Sequence, residues 1–196
     1  MQKLIQDLLR FSRVTTQARP FAPVDLAQLA RETLDDLAVE VERANANVHL
    51  GSLPTISADE PQMRQLLQNL FSNALKFRRE GVDPEITIEA NVSGPSVQLV
   101  VRDNGIGFES QYDDRIFRIF ERLHGRSEYP GPGIGLALCR KIAERHGGSI
   151  VAEGEPGVGA TFTVTLPVHP TDASTPDAEP GRTSAPPERE EVAARA

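Results

Sequence analysis

The segment Gln62–Phe77 narrows the range of folds open to this chain more than any other stretch. Met63, Leu66, Leu67, Leu70, Ala74 and Phe77 recur at the i, i+3, i+4, i+7 spacing that turns one side of a helix toward a core. Asn69, Asn73 and Lys76 recur at i, i+4, i+7 and so share an adjoining face. Asn is a weak residue for a helix interior because its amide competes for the backbone. Two of them one turn apart, with Lys a turn later, call for a cause. From this helix alone, a solvated polar face and a binding face explain the pattern equally well.

What lies on either side sets the fold class. Met1–Val14 reads as a short amphipathic helix through Leu4, Ile5, Leu8, Leu9 and Phe11, followed by the polar, proline-closed linker Thr15–Pro20. A helix of that length is marginal alone, so its apolar face needs either the rest of the domain or a second copy. Pro20–Val24 suits an edge strand, since prolines interrupt a central one. Asp25 then caps a helix predicted to run to Ala44, with Leu26, Leu29, Ala30, Thr33, Leu37 and Val41 inward. Val48–Leu50 and Thr55–Ala58 read as short strands. Asp59 caps the Asn/Lys helix, with Pro61 in its first turn and Gln62 at capping-box spacing.

Beyond that helix, Glu85–Val92 and Val97–Arg102 alternate as an antiparallel hairpin about Ser93–Ser96. The second strand runs into Asp103-Asn104-Gly105-Ile106-Gly107. On its own Asp-Asn-Gly also suits a hairpin turn, but no alternating strand follows it. Instead comes a long stretch without strand period that holds Phe117 and Phe120, then Gly131-Pro132-Gly133-Ile134-Gly135, then a helix from Leu136 to His146. Long aperiodic stretches inside a domain are functional lids or disordered segments, and glycines opening a helix let backbone N–H groups face a phosphate. Gly147-Gly148 ends the helix, and Gly148–Glu153 and Thr161–Leu166 read as the last two strands.

Composition removes several classes of function. A net charge of -7 leaves no basic excess to displace phosphate counterions, so nucleic-acid binding is not expected. One cysteine, Cys139, allows no internal disulfide and no Cys-based zinc site, which suits a reducing, cytoplasmic setting. No run is long enough to span a membrane, and no membrane contact is expected. From His169 onward the chain is rich in Pro, Ala, Thr and acidic residues, the composition of a disordered tail. Of the histidines, His146 falls in the last turn of a helix, where a cation is favoured, and His49, His124 and His169 read as surface residues.

Four motifs, Asn69-x-x-x-Asn73-Ala-x-Lys76-Phe, Asp103-x-Gly105-x-Gly107, Phe117-x-x-Phe120 and Gly131-x-Gly133-x-Gly135-Leu136, resemble in order and spacing the asparagine, first glycine, phenylalanine and second glycine boxes of sensor histidine kinases. The run Arg122-Leu123-His124 with Glu128-Tyr129-Pro130 is similar to kinases linked to phytochrome or PAS sensors. No P-loop run, Rossmann glycine spacing or His-Arg-Asp loop competes. The resemblance implies an α+β fold, a two-layer sandwich in which a mixed, mostly antiparallel sheet carries three helices on one face, shared with gyrase and the large heat-shock chaperones. It further implies three regions: 1–19, the end of a dimerisation helix plus linker; 20–168, the ATP-binding catalytic domain; and 169–196, the tail.

By the same resemblance, ATP and Mg2+ are the cofactors, and the γ-phosphoryl is transferred to a histidine. Asp103 is implied to accept from the adenine amino group, Asn73 to ligate magnesium, and Lys76 to meet the phosphates. Asn69 stands where hydrolytic relatives carry the glutamate that activates water, an exchange that suits transfer over hydrolysis, so Asn69 and Lys76 are the implied catalytic pair. Gly105 and Gly107 are implied to pass close to the base and hinge the lid. Phe117 and Phe120 would anchor that lid, and Gly131, Gly133, Gly135, Leu136 and Thr161 complete the nucleotide contacts. Two departures stand out. The phosphoacceptor histidine box is missing, so the expected partners are a histidine-bearing dimerisation domain, in the same longer protein or in trans, a response regulator and a second copy of the chain. Pro132 replaces the usual Thr or Ser and removes an N–H and a hydroxyl from the phosphate loop. A serine kinase of the anti-sigma type and an ATP-gated docking module are the alternatives.

Overall fold

The computed structural model describes residues 2–123 and 133–169. His124, Glu128–Pro130, Gly131, Pro132 and the tail after His169 lie outside the described residues. Within them the order is α1 (Gln2–Thr16), β1 (Ala22–Asp25), α2 (Leu26–Asp36), α3 (Ala38–Ala44), β2 (Asn47–Leu50), β3 (Thr55–Ala58), α4 (Glu60–Lys76), β4 (Glu85–Ser93), β5 (Ser96–Asp103), α5 (Gly135–Arg145), β6 (Ser149–Glu155) and β7 (Gly159–Pro167), with 3-10 turns at Ser110–Tyr112 and Arg115–Phe117.

A five-stranded sheet runs in the order β2-β4-β5-β7-β6, with β2 parallel to β4 and every other pair antiparallel. The expected mixed, mostly antiparallel sheet is therefore present, and β1 and β3 form a separate antiparallel pair. The alternating side chains of the sheet sort cleanly. Ile86, Ile88, Val97, Leu99, Val101, Ile150, Ala152, Phe162, Val164 and Leu166 are buried, and they meet a helical layer of α2, α4 and α5, with α1 against α5. On α4, Met63, Leu66, Leu67, Leu70 and Ala74 are buried as the period requires, together with Phe71 and Leu75, which widen the apolar stripe.

Three local expectations change. The first helix continues through Thr16, whose hydroxyl donates to the Ser12 carbonyl (3.3 Å) in place of starting a linker. The predicted helix from Asp25 breaks at Leu37 (φ -105°, ψ 11°), whose N–H turns back to Leu34 and whose side chain is buried, and α3 restarts beyond it with no buried residue. Asp59 does cap α4 through the Gln62 N–H (3.3 Å), but Gln62 does not return the bond. Its Nε2 donates instead to the Val14 carbonyl at 2.9 Å, while the Asp59 N–H donates to Nε2 of His146 at 3.1 Å.

His146 is thus no surface cation at a helix end. It is buried, stacked on Phe21 (4.7 Å between centroids), and its Nδ1 lies 2.8 Å from the Ile142 carbonyl. Since Nε2 accepts a backbone N–H, Nδ1 carries the proton, and the neutral ring satisfies both neighbours. The Asp59 carboxylate lies beside it, taking the Arg19 N–H (2.8 Å) and facing Arg145 Nη1 (3.5 Å). This cluster joins the start of α4, the end of α5 and the segment leading out of α1.

Candidate active site

The Asn/Lys face of α4, the end of β5 and the start of α5 enclose a cavity of about 360 Å³. Each wall follows from local sequence. Leu66, Leu67 and Leu70 commit one side of α4 to the core, which leaves Asn69, Asn73 and Lys76 facing the cavity. Pairing of β5 with β7 ends with Asp103 opposite Ala160, and both line the space. The side chain of Ile134 is buried, and α5 begins behind it with no side-chain cap. Its first N–H groups make no bond to the cap residue's side chain, at a place where an anion is favoured.

Asp103 sits half-buried in this wall. Burial holds its carboxyl above the ordinary carboxylate range, against the opposing effect of backbone hydrogen bonds from Gly105 and Ala160. The Gly105 N–H reaches Oδ1 at 2.9 Å. On α4, Asn69 Nδ2 donates to the Gly135 carbonyl and Gln65 Nε2 to Asn69 Oδ1, both at 3.3 Å, so Asn69 ties the two helices that flank the cavity. Lys76 Nζ sits 4.3 Å from the centre of the Phe77 ring. Cys139 lies beneath Asn69 in the core, and burial pushes its thiol up to about 12.

Among the sequence candidates, Asn69, Asn73, Lys76, Asp103, Gly107, Gly133, Gly135 and Leu136 line the cavity together. Gly131 lies outside the described residues. Thr161 does not reach the cavity. Strand alternation gives Ala160 and Phe162 to the helical side and turns Thr161 to the open face beside Arg102. Phe117 is buried, under the Arg140 guanidinium (4.3 Å), but Phe120 is 55% exposed at φ 67°, with its backbone N–H donated to the Gly133 carbonyl at 2.9 Å. Of the two phenylalanines, Phe117 packs into the core and Phe120 faces outward.

Gly105 and Gly107 are required by the protein's own backbone. A Cβ on Gly105 would lie 2.4 Å from the Phe77 carbonyl oxygen, and one on Gly107, which has φ +62°, would lie 1.9 Å from that of Glu155. Ile106 donates to Phe77 (2.8 Å) and accepts from Gly157 (2.8 Å), while Arg79 clasps the carbonyls of Asn104 and Gly157. The backbone from 103 to 107 is therefore held to the protein's own chain. Gln65 and Ser72 also line the cavity. They extend the Asn69, Asn73, Lys76 stripe at helical spacing, and that period is the signal by which they were legible. Arg10 of α1 and Arg122 arrive from elsewhere in the chain and carried no such signal.

Residues 58–170 match the family described as "Histidine kinase-, DNA gyrase B-, and HSP90-like ATPase". The chain belongs to this family. Within it, the chain is an ATP-binding catalytic domain of the sensor histidine kinase kind. It is 46% identical over 168 residues to cyanobacterial phytochrome A of Nostoc sp. (strain PCC 7120 / SAG 25.82 / UTEX 2576), an alignment that takes in 86% of this chain and 22% of that protein. It superposes on full-length ShkA in complex with AMPPNP with a TM-score of 0.72 at 31% identity, over 87% of this chain and 36% of the other. On the nucleotide-free catalytic domain of the histidine kinase ThkA the TM-score is 0.66 at 25% identity, over 78% of this chain and the whole of the other. The chain thus spans about a fifth of the length of its phytochrome relative. No helix among the described residues is long and apolar enough to cross a membrane.

Proposed function

We propose that this chain holds Mg-ATP in the cavity and presents the γ-phosphoryl to a histidine nitrogen on a dimerisation domain, with a response regulator downstream. One observation carries the reading. A single cavity has a half-buried carboxylate, Asp103, in one wall, and in another the start of α5 beside the Asn69, Asn73 and Lys76 face of α4. Asp103 accepts from the adenine amino group, a choice against guanine, which offers a carbonyl there. The N–H groups of α5 and the Lys76 ammonium receive the phosphates.

The donor set also fits magnesium. Among the described residues no cluster of three or more His, Cys, Asp or Glu could hold a metal by itself. Asn73 offers one amide oxygen, which suits a cation that keeps its waters and takes its remaining ligands from phosphate. Bound there, the ion neutralises phosphate charge. The protein's own share is positioning and electrostatics. Asn69 brings no carboxylate to activate water, which favours transfer over hydrolysis. We read residues 1–19 as the end of a dimerisation helix with its linker, 20–168 as the catalytic domain, and the setting as cytoplasmic, where ATP and Mg2+ are supplied.

The test mixes the chain with Mg-ATP labelled at the γ-phosphate and a histidine-bearing dimerisation domain. Label that is lost on acid treatment and kept in base indicates phosphohistidine. Acid-stable label indicates the serine-kinase alternative, and nucleotide binding without any transfer leaves only the docking module.

A further inference from the structure

We propose that Arg10, carried on α1 rather than on the catalytic domain proper, is a phosphate-binding residue of the nucleotide site, so that docking of α1 and occupancy of the cavity reinforce each other. The inference rests on the reading of the cavity as a nucleotide site and goes beyond it, because it gives the N-terminal helix a direct part in binding.

The packing of α1 determines where Arg10 falls. Val14 is buried and its carbonyl accepts from Gln62 in the first turn of α4. Phe11 lies under the Lys141 ammonium of α5, 4.3 Å away. The helix therefore rests across the seam between α4 and α5. Arg10 stands one turn before Val14 on the same side of α1, and Gln65 stands one turn after Gln62 on α4. Both side chains line the cavity.

From Gln65 the contacts lead to the start of α5. Gln65 donates to Asn69, and Asn69 donates to the Gly135 carbonyl. Arg10 thus enters beside Gln65 and Asn69, next to the start of α5, where helix N–H groups favour an anion. In a chain whose formal net charge is -7, the described residues that line this space include the cations Arg10, Lys76 and Arg122 beside the carboxylates of Asp103 and Glu121. A guanidinium presents a planar fork of donors to phosphate oxygens, which makes it a stronger anchor than an ammonium where two oxygens are offered together. Because Arg10 moves with α1, nucleotide that binds it holds α1 down, and a docked α1 raises nucleotide affinity by the same factor.

The experiment measures the affinity of the full chain for ATP, ADP and adenosine by calorimetry in the wild type, Arg10→Ala and Arg10→Lys. Arg10 is exposed, so neither variant disturbs the core, and circular dichroism melts verify that. The expected result is a loss of about tenfold in ATP affinity for Arg10→Ala, a smaller loss for Arg10→Lys, and unchanged adenosine binding. Equal losses for ATP and adenosine would mean that Arg10 only holds α1 in place, and unchanged ATP affinity would mean that it stays clear of the phosphates; either overturns the inference while leaving the site standing. A wild type that binds neither ATP nor adenosine overturns the reading of the cavity itself.

Discussion

Replacing Asp103 with Asn keeps the shape of the side chain and removes its charge, which separates the two demands placed on this residue. A hydrogen bond to a charged acceptor contributes about 1.5–3 kcal/mol and one to a neutral acceptor about 0.5–1.5, so the lost charge alone removes about 1 kcal/mol of adenine binding. The amide also has one acceptor oxygen where the carboxylate has two. With the Gly105 N–H at 2.9 Å already using Oδ1, either that donor or the adenine amino group is left facing an NH2 group, at a further cost of about 1–2 kcal/mol. Together these amount to about 2–3 kcal/mol, or roughly 30- to 150-fold in Kd. Fold stability moves the other way. Burial raises the Asp103 pKa above its unfolded value. A carboxyl shifted in that direction stabilises the fold while protonated, and the contribution is lost as pH rises through the folded pKa. At pH 7 its charge therefore opposes the unliganded fold, and Asp103→Asn leaves Tm unchanged or raises it. Calorimetric titration with Mg-ATP and Mg-GTP beside a thermal melt reads both effects, with the ATP preference narrowing in the variant. A fall in Tm parallel to the loss of binding, or ATP affinity within about twofold of wild type, would refute the reasoning.

Other outcomes follow from the same contacts. Adenosine affinity falls on acidification from a pH above the ordinary carboxylate range, because protonation removes the charged acceptor whose pKa burial has raised, and titration across that range finds no such step in Asp103→Asn. Gly107→Ala and Gly81→Ala both force Ala to positive φ, +62° and +72°, but only the first adds a Cβ against backbone, since nothing lies within 4 Å of the second. Urea unfolding is expected to show Gly107→Ala as the more destabilising by about 1–3 kcal/mol. Asp59→Ala removes the partner of Arg145, with side chains only 1% and 11% exposed, together with the α4 cap, and costs about 3–5 kcal/mol. Glu89→Ala breaks the exposed pair with Arg102 and costs about 0–1 kcal/mol in the same assay. The Cys139 thiol, buried and pushed up to about 12, is expected to resist a disulfide reagent at pH 8 until the domain unfolds, so labelling in increasing urea follows the unfolding curve; fast labelling of the folded chain contradicts its burial.

Much of the site was legible where one element carries its own pattern. Asn69, Asn73 and Lys76 share a helix, so the spacing that places Leu66 and Leu70 in the core also places them together outside it. The β4–β5 hairpin is local, and its register pairs Ser93 with Ser96 across the predicted turn. Legibility failed where two elements compete for one group. Gln62 has capping-box spacing, but His146, far along the chain, takes the Asp59 N–H and frees Gln62 for Val14. Thr161 follows a buried Ala160 in a strand whose inward parity is set by its pairing with β5 and β6, which its own sequence does not declare.

Periodicity and turn chemistry in the sequence alone therefore determined most of the helices and strands, which side of α4 is polar, and where the glycines ahead of α5 lie. These are properties of neighbours within one element, governed by backbone geometry. Only the tertiary structure decided that Arg10 enters the cavity, that His146 is a neutral buried clamp between α4 and α5, that Phe117 packs into the core while Phe120 is exposed, and that Gly107 is demanded by the Glu155 carbonyl. Each of these depends on which distant group occupies a given few ångströms of space. Close packing settles that for the whole domain at once, and no short window of sequence contains it.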